Sequence, residues 1–343
     1  MPLQLKESDL PSLTSKNALV TGATSGIGLQ TAILLASHGA TVHIASRNTA
    51  KGQETVRALR AEYPSHTYYH HPLDLSSVSS AAESAALFAR ENTHLDILVA
   101  NAGVAFVSVD ELSVDVLDKA FAVNHVGHFV FISGLLPLLR RTAEKSGDVR
   151  VVVTSSNAYK FVDKVDLSDV ACRVPGDGRS ARHFLAAGRR YGRSKRANIL
   201  FAMELDRRLR APDEMGRADA SGVRVNVCHP GTIGATSLGG DGGLFGIPVW
   251  TSRLLHRLIG VVGLTPREGA MTQTLLAAAD KIREEDVHGC FFAPRTGWNM
   301  RYTHSEEVDL GEWARSEEDA KALWEWTEGW VDKVLGKGNP GGE

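Results

Sequence analysis

Cysteine is scarce in this chain. Cys172, Cys228 and Cys290 stand far apart, odd in number and with no Cys-x-x-Cys pair. That pattern argues against a disulfide framework or a cysteine zinc site, and it fits a reducing compartment. A surplus of one charge is also missing, since 38 Lys and Arg face 40 Asp and Glu for a net charge of −2. Nothing therefore draws the whole chain toward nucleic acid or an anionic membrane. No uninterrupted apolar run approaches the ~20 residues a bilayer span needs, and Met1 to Lys16 has no apolar signal core. The expectation is a cytoplasmic protein with no nucleic-acid partner. Metal-ligand spacing is absent too. His70 and His71 alternate faces of a strand, and His125 and His128 have no third ligand nearby, so no metal is expected.

The 343 residues are 43% hydrophobic and 23% charged, ordinary for a globular α/β chain. Strand-like runs at 18–21, 42–46, 67–71, 97–100, 149–154, 223–228 and 290–293 alternate with helical patterns near 26–38, 48–62, 77–92, 112–141 and 191–210. The central runs are continuously apolar, as where helices cover both faces of a parallel sheet. The alternation predicts a doubly wound parallel sheet in one domain, 1–335, with a frayed tail at 336–343. Two segments interrupt it: polar, arginine-bearing 157–190, and 231–265, glycine-rich and then apolar. The second is a candidate substrate lid. Trp324, Trp326 and Trp330 are expected to anchor a C-terminal helix on the core.

The most informative stretch is Thr21-Gly22-Ala23-Thr24-Ser25-Gly26-Ile27-Gly28. It follows the apolar Ala18-Leu19-Val20 and opens a helical pattern, so it reads as strand, glycine turn and helix N-terminus. Such a turn lets backbone approach a pyrophosphate, whose charge the helix start favours. After the second strand comes Ser46-Arg47-Asn48. An acidic residue there would grip the ribose 2′-OH of NAD, whereas Arg47 suits the 2′-phosphate of NADP. Arg47 as a solvated helix start is the plainer alternative. Asp74, with Leu75 beside it, ends the third strand and can accept from an adenine amino group, or else cap a helix. Asn101-Ala102-Gly103 ends the fourth. Gly103 lets backbone pass near a cofactor and Asn101 can tie strand ends together, although a plain turn also fits.

Tyr191 and Lys195, four apart, share one face of a helix that Tyr191 is expected to open. A phenol of pKa near 10 is a poor acid–base group at neutral pH, and a neighbouring ammonium lowers that value. Ser155-Ser156 ends the fifth strand on the same sheet edge, where a serine hydroxyl can bond a substrate carbonyl. Asn124 is an amide among Phe121, Val123, Val126 and Phe129, either structural or part of a polar relay.

In this order the motifs closely resemble the short-chain dehydrogenase/reductase family over residues 20–300, in wording nearest its retinol-dehydrogenase-type and fungal members. The resemblance implies a Rossmann-type fold, a nicotinamide cofactor and Tyr191 as general acid/base. It implies that Ser156 rather than Ser155 positions the carbonyl, and that Lys195 holds the nicotinamide ribose. Asn124 then supports a water-linked proton relay. Pro230-Gly231 becomes the turn beside the nicotinamide, with Thr232 or Ile233 near its carboxamide. The separation of 35 between Ser156 and Tyr191 marks 157–190 as an insertion. The combined reading is NADP(H)-dependent reduction or oxidation of a lipophilic carbonyl or alcohol by a homo-oligomer paired through the 112–141 and 191–210 helices. A non-catalytic NADP sensor and a membrane-associated lipid or retinoid reductase are the alternatives, membrane contact not being favoured.

Overall fold

Val149–Thr154 and Val223–Cys228 are buried at every position, which only a sheet covered on both faces provides. A computed structural model describes residues 2–171, 181–211, 222–233, 263–297 and 301–337. The strands are β1 (Gln4–Leu5), β2 (Asn17–Thr21), β3 (Thr41–Ser46), β4 (Thr67–Pro72), β5 (Ile97–Ala100), β6 (Val149–Thr154), β7 (Val223–Cys228), β8 (Phe291–Thr296) and β9 (Tyr302–Glu307). They form one sheet in the order β1-β9-β8-β7-β6-β5-β2-β3-β4. From β4 across to β8 all pairs are parallel, and β9 runs antiparallel to β8 and β1. The strand order reverses at β2, which lies between β3 and β5. That is the switch point at which open α/β sheets bind ligands, beyond the carboxyl ends of the strands.

Two apolar layers sandwich the sheet. One packs α1 (Gly26–Ser37), α2 (Thr49–Glu62) and α6 (Pro266–Ala278), with Leu35, Val56, Leu59 and Leu275 in its core. The other packs α3 (Val78–Glu91), α4 (Lys119–Ser146), α5 (Ala181–Arg210) and α8 (Glu317–Val334), around Phe88, Phe121, Phe131 and Leu205. A short helix, α7 (Asp280–Glu284), follows α6. Helix α4 is long and apolar enough by composition to cross a membrane, with mean hydropathy 1.5, yet 72% of that window is buried in this second layer. The chain thus has the expected doubly wound, Rossmann-type α/β architecture.

Several boundaries differ from expectation. The helix predicted at 112–141 runs from Lys119 to Ser146. Asp118 caps it by accepting from Phe121 N at 2.8 Å, while Ser113 N bonds Leu117 O and holds 112–118 as a loop. Its end comes at Gly147, whose φ of +68° stops the spiral. The helix predicted at 191–210 begins ten residues earlier, at Ala181. Ala, Leu and Arg in 181–190 are strong helix formers, so the last ten residues of the expected loop insertion are α-helix. Strands β1 and β9 were not expected. The first has two residues, and Tyr-Thr-His-Ser-Glu-Glu lacks apolar alternation because it lies near the sheet edge. Most of the 231–265 lid, the tail from 338 and Cys172 lie outside the described residues.

The C-terminal tryptophans do cover the core. Trp324 stacks edge-on to Phe129 at 4.8 Å and lies 5.8 Å from Phe201, while Trp326 meets Phe121. Helix α8 therefore lies over α4 and α5, the two helices expected to pair with a second copy.

Candidate active site

The glycine turn leaves β2 at the switch point. A Cβ on Gly28 would stand 2.5 Å from Asn101 Nδ2 and 2.6 Å from Gly22 O, so only glycine lets α1 approach β5 this closely. Gly26 has φ +57° and no atom within 4 Å of where its Cβ would be, so the turn's outer face is open. Ser25 is the N-cap of α1 but makes no side-chain capping bond. The first N–H groups of α1 are therefore free for an anion, and the turn fits a cofactor pyrophosphate. Thr21 Oγ1 accepts from Ala102 N at 2.9 Å, and Asn101 Nδ2 donates to Thr21 O at 2.9 Å. Asn101 thus ties strand ends together. Gln273, from α6, donates to Asn101 Oδ1 and accepts from Thr154 Oγ1 at 2.9 Å, a buried brace that the sequence did not reveal.

Arg47 is exposed at the end of β3, just before Asn48, which caps α2 by accepting from Lys51 N. Asp74 does not cap a helix. Its Oδ1 accepts from Ser76 N and Ser76 Oγ at 2.9 and 2.7 Å, and Ser77 caps α3. Leu75 is buried, its carbonyl 2.3 Å from where a Cβ on Gly127 would sit. Gly103 faces Asn124 and Lys195, whose Oδ1 and Nζ would lie 3.2 and 3.4 Å from its Cβ.

Tyr191 lies well inside α5 rather than at its start, with its hydroxyl toward Ser156. Ser156 Oγ also accepts from Ala158 N at 3.2 Å. Ser155 is committed elsewhere: its hydroxyl donates to Lys195 O at 2.7 Å. Lys195 is 3% exposed, its Nζ donating to Thr154 O at 3.0 Å and lying 5.7 Å from the Tyr191 ring centroid. An ammonium has three donors, and Thr154 uses one. Burial lowers the Lys195 pKa to about 8. The expected lowering of the Tyr191 pKa is not observed: burial pushes it up, opposed by the bond to Ser156. The Lys195 ammonium lies 5.7 Å from the ring centroid and is itself desolvated, and burial decides the direction.

Asn124 sits on a π-turn, Ala122–Val126, within α4. Its Oδ1 accepts from Val104 N at 2.8 Å, and its Nδ2 donates to Val104 O and Ser194 Oγ, both at 2.9 Å. Pro230 and Gly231, the latter at φ +87°, continue from β7. Thr232 is exposed, while Ile233 packs where a Cβ on Gly269 would fall. Ile233 and Leu264 form a parallel bridge, and Leu264 N bonds Thr232 O at 2.9 Å, so the two ends of the lid segment meet. Phe245, Trp250 and all but the last two residues of apolar 247–264 lie outside the described residues.

An apolar rim surrounds Tyr191. Phe106 lies 5.8 Å from the Tyr191 ring and stacks on Phe184 at 5.3 Å, with Phe161 nearby across Gly188. Phe106 has φ +50°, a strained state for a bulky residue. These phenylalanines were missed because they fall in irregular or inserted segments. Arg190, from the arginine-bearing insertion, is buried and donates to Val109 O at 2.7 Å, which makes it a structural tie. No group of three or more His, Cys, Asp or Glu suited to a metal converges among the described residues.

Comparison with known proteins gives the geometry its context. The family model for short chain dehydrogenases matches residues 16–164. A short chain dehydrogenase/reductase of Colletotrichum higginsianum is 37% identical over 290 residues, 81% of this chain and 67% of that protein. Mouse polyprenol dehydrogenase is 34% identical over 316 residues, 92% of this chain and 83% of its own. A crystal structure from Mycobacterium paratuberculosis superposes with a TM-score of 0.67 at 28% identity, covering 96% of this chain and 98% of the other. With relatives this similar over most of their length, and a nicotinamide fold to match, the chain belongs to the short-chain dehydrogenase/reductase family of oxidoreductases.

Proposed function

We propose that the protein is an NADP(H)-dependent carbonyl reductase or alcohol dehydrogenase acting on a lipophilic small molecule. The observation that carries this reading is the grouping of Tyr191 with Ser156 and the buried Lys195 ammonium, 5.7 Å from the Tyr191 ring centroid, at the strand ends where the glycine turn opens. When bound, the nicotinamide supplies or accepts the hydride. In the reducing direction Ser156 and Tyr191 hold the substrate oxygen, and Tyr191 O–H gives it a proton as negative charge develops. The resulting phenolate is stabilised by Lys195, and Asn124 supports reprotonation through water. Lys195 would also hold the ribose of a bound cofactor, and Thr232 or Ile233 would serve its carboxamide.

Non-acidic Ser46 and Arg47 support NADP over NAD. Phe106, Phe161 and Phe184 support a lipophilic substrate, in keeping with a relative named for polyprenol. We further propose a cytoplasmic setting, on the scarcity of cysteine and the balanced charge. Because α8 already occupies α4 and α5, association between copies is proposed on other faces. The test is NADPH consumption over a panel of lipophilic ketones and aldehydes with the wild type and Tyr191→Phe. The variant is expected to lose at least about a hundredfold in kcat while keeping its NADPH Kd. Near-normal turnover would overturn the mechanism. NADPH binding with no oxidation across the panel would favour a non-catalytic sensor.

A further inference from the structure

His128 touches both halves of the site, the turn of α4 that carries Asn124 and the strand that feeds the glycine turn. It is buried, 2% exposed. Its Nδ1 lies 3.0 Å from Asn124 O, and its Nε2 lies 3.0 Å from Thr21 Oγ1.

The partners fix the protons. Asn124 O is a carbonyl and can only accept, so Nδ1 carries the hydrogen. Burial keeps the imidazole neutral, its pKa pushed down to about 4, so Nε2 has a lone pair. Thr21 O–H therefore donates to Nε2 at 3.0 Å in preference to Val99 O at 3.5 Å, and its oxygen accepts from Ala102 N. One directed chain results: Ala102 N–H to Thr21, Thr21 O–H to His128, and His128 N–H to the Asn124 carbonyl.

That carbonyl matters because the Asn124 side chain is held in place. Val104 and Ser194 take both of its amide hydrogens and one lone pair of its oxygen. The main-chain oxygen that His128 holds is the other acceptor Asn124 can offer a water. At the other end, Thr21 opens the cofactor turn and bonds the Asn101-Ala102 strand end.

We infer that His128 is a positioning residue, a neutral Nδ1–H imidazole that holds the Asn124 carbonyl for proton transfer with one nitrogen and the cofactor turn with the other. The inference rests on the reading that this cleft binds a nicotinamide cofactor. Its two halves come apart by substitution. In His128→Asn the amide reaches only the Nδ1 position and keeps the bond to Asn124 O. In His128→Gln it reaches the Nε2 position and keeps the bond from Thr21.

The experiment measures NADPH Kd by tryptophan quenching, steady-state kcat, melting temperature and histidine ring nitrogen spectra. His128→Asn is expected to weaken NADPH binding about tenfold with kcat little changed, and His128→Gln to lower kcat about tenfold with Kd little changed. The wild-type spectrum should contain an Nδ1–H ring, absent from the His128→Gln spectrum, that does not titrate between roughly pH 5 and 8. Equal losses of both quantities in both variants, tracking melting temperature, would reduce His128 to a packing residue. A protonated Nε2 in that ring would overturn the chain of donors. If the wild type binds neither NADPH nor NADH, the functional reading fails, while the nitrogen spectrum still decides the tautomer.

Discussion

Replacing Lys195 with methionine should make the protein more stable and inactive. Burial holds the ammonium at a pKa of about 8 against an ordinary 10.5. At 1.36 kcal/mol per unit, keeping it charged in the fold costs about 3 kcal/mol at neutral pH. Methionine keeps an unbranched chain of similar size without the charge. The lost bond to Thr154 O subtracts about 1 kcal/mol, and no more, because Asn198 Nδ2 still donates to that carbonyl at 3.1 Å. The net gain is about 2 kcal/mol, or about 3 °C in Tm for a chain of this size.

The pH dependence gives the stricter test. Below pH 8 lysine is protonated in both folded and unfolded chains, so the full cost is present. As pH rises from about 8 to 10.5 the folded lysine gives up its proton while the unfolded one retains it. Wild-type stability then climbs relative to Lys195→Met, so the variant's advantage disappears at about pH 9.5 and becomes a deficit of about 1 kcal/mol by pH 10.5. Urea unfolding at several pH values reads this directly. A variant less stable than wild type at pH 7, or an advantage independent of pH, would refute the reasoning.

Arg47→Asp should raise the NADPH Kd and lower that for NADH, by repelling the 2′-phosphate and accepting from a 2′-OH. Paired titrations check it, and unchanged preference would make Arg47 a bystander. Gly28→Ala drives a methyl against Asn101 Nδ2 and Gly22 O, so NADPH binding should be lost and urea stability should fall by about 1–3 kcal/mol. Trp324→Ala empties the contact between Phe129 and Phe201 and should cost about 3–5 kcal/mol of stability. Light scattering on that variant reports whether uncovering α4 and α5 promotes self-association.

The parallel strands were legible because valine-rich runs have no other use in a chain of this composition. β6 and β7 were read to the residue. Tyr191, Lys195 and the glycine turn were legible because short spacings survive folding unchanged. The rest depended on contacts distant in sequence. Gln273 bridges Asn101 and Thr154 from far along the chain, and nothing in Met-Thr-Gln-Thr announces it. Ser155 and Ser156 look alike in sequence, and only the position of Lys195 O separates them. His128 drew notice as a metal candidate, whereas its partners are a carbonyl and a hydroxyl. The sign of the Tyr191 shift was misread because spacing reports a neighbouring charge and not the burial that opposes it.

The bridge between Ile233 and Leu264 pins together two residues that are 31 positions apart in the chain. Strand partners lie about 4.8 Å apart, so the described chain stops and resumes at nearly one point. Loop-closure cost grows only slowly with length, so exchanging everything between those residues for a relative's segment leaves the hinge geometry and Asn101, Thr154 and Lys195 where they are. The fold is therefore arranged for exchange at this point, with one short bridge as the boundary that an exchanged segment must match.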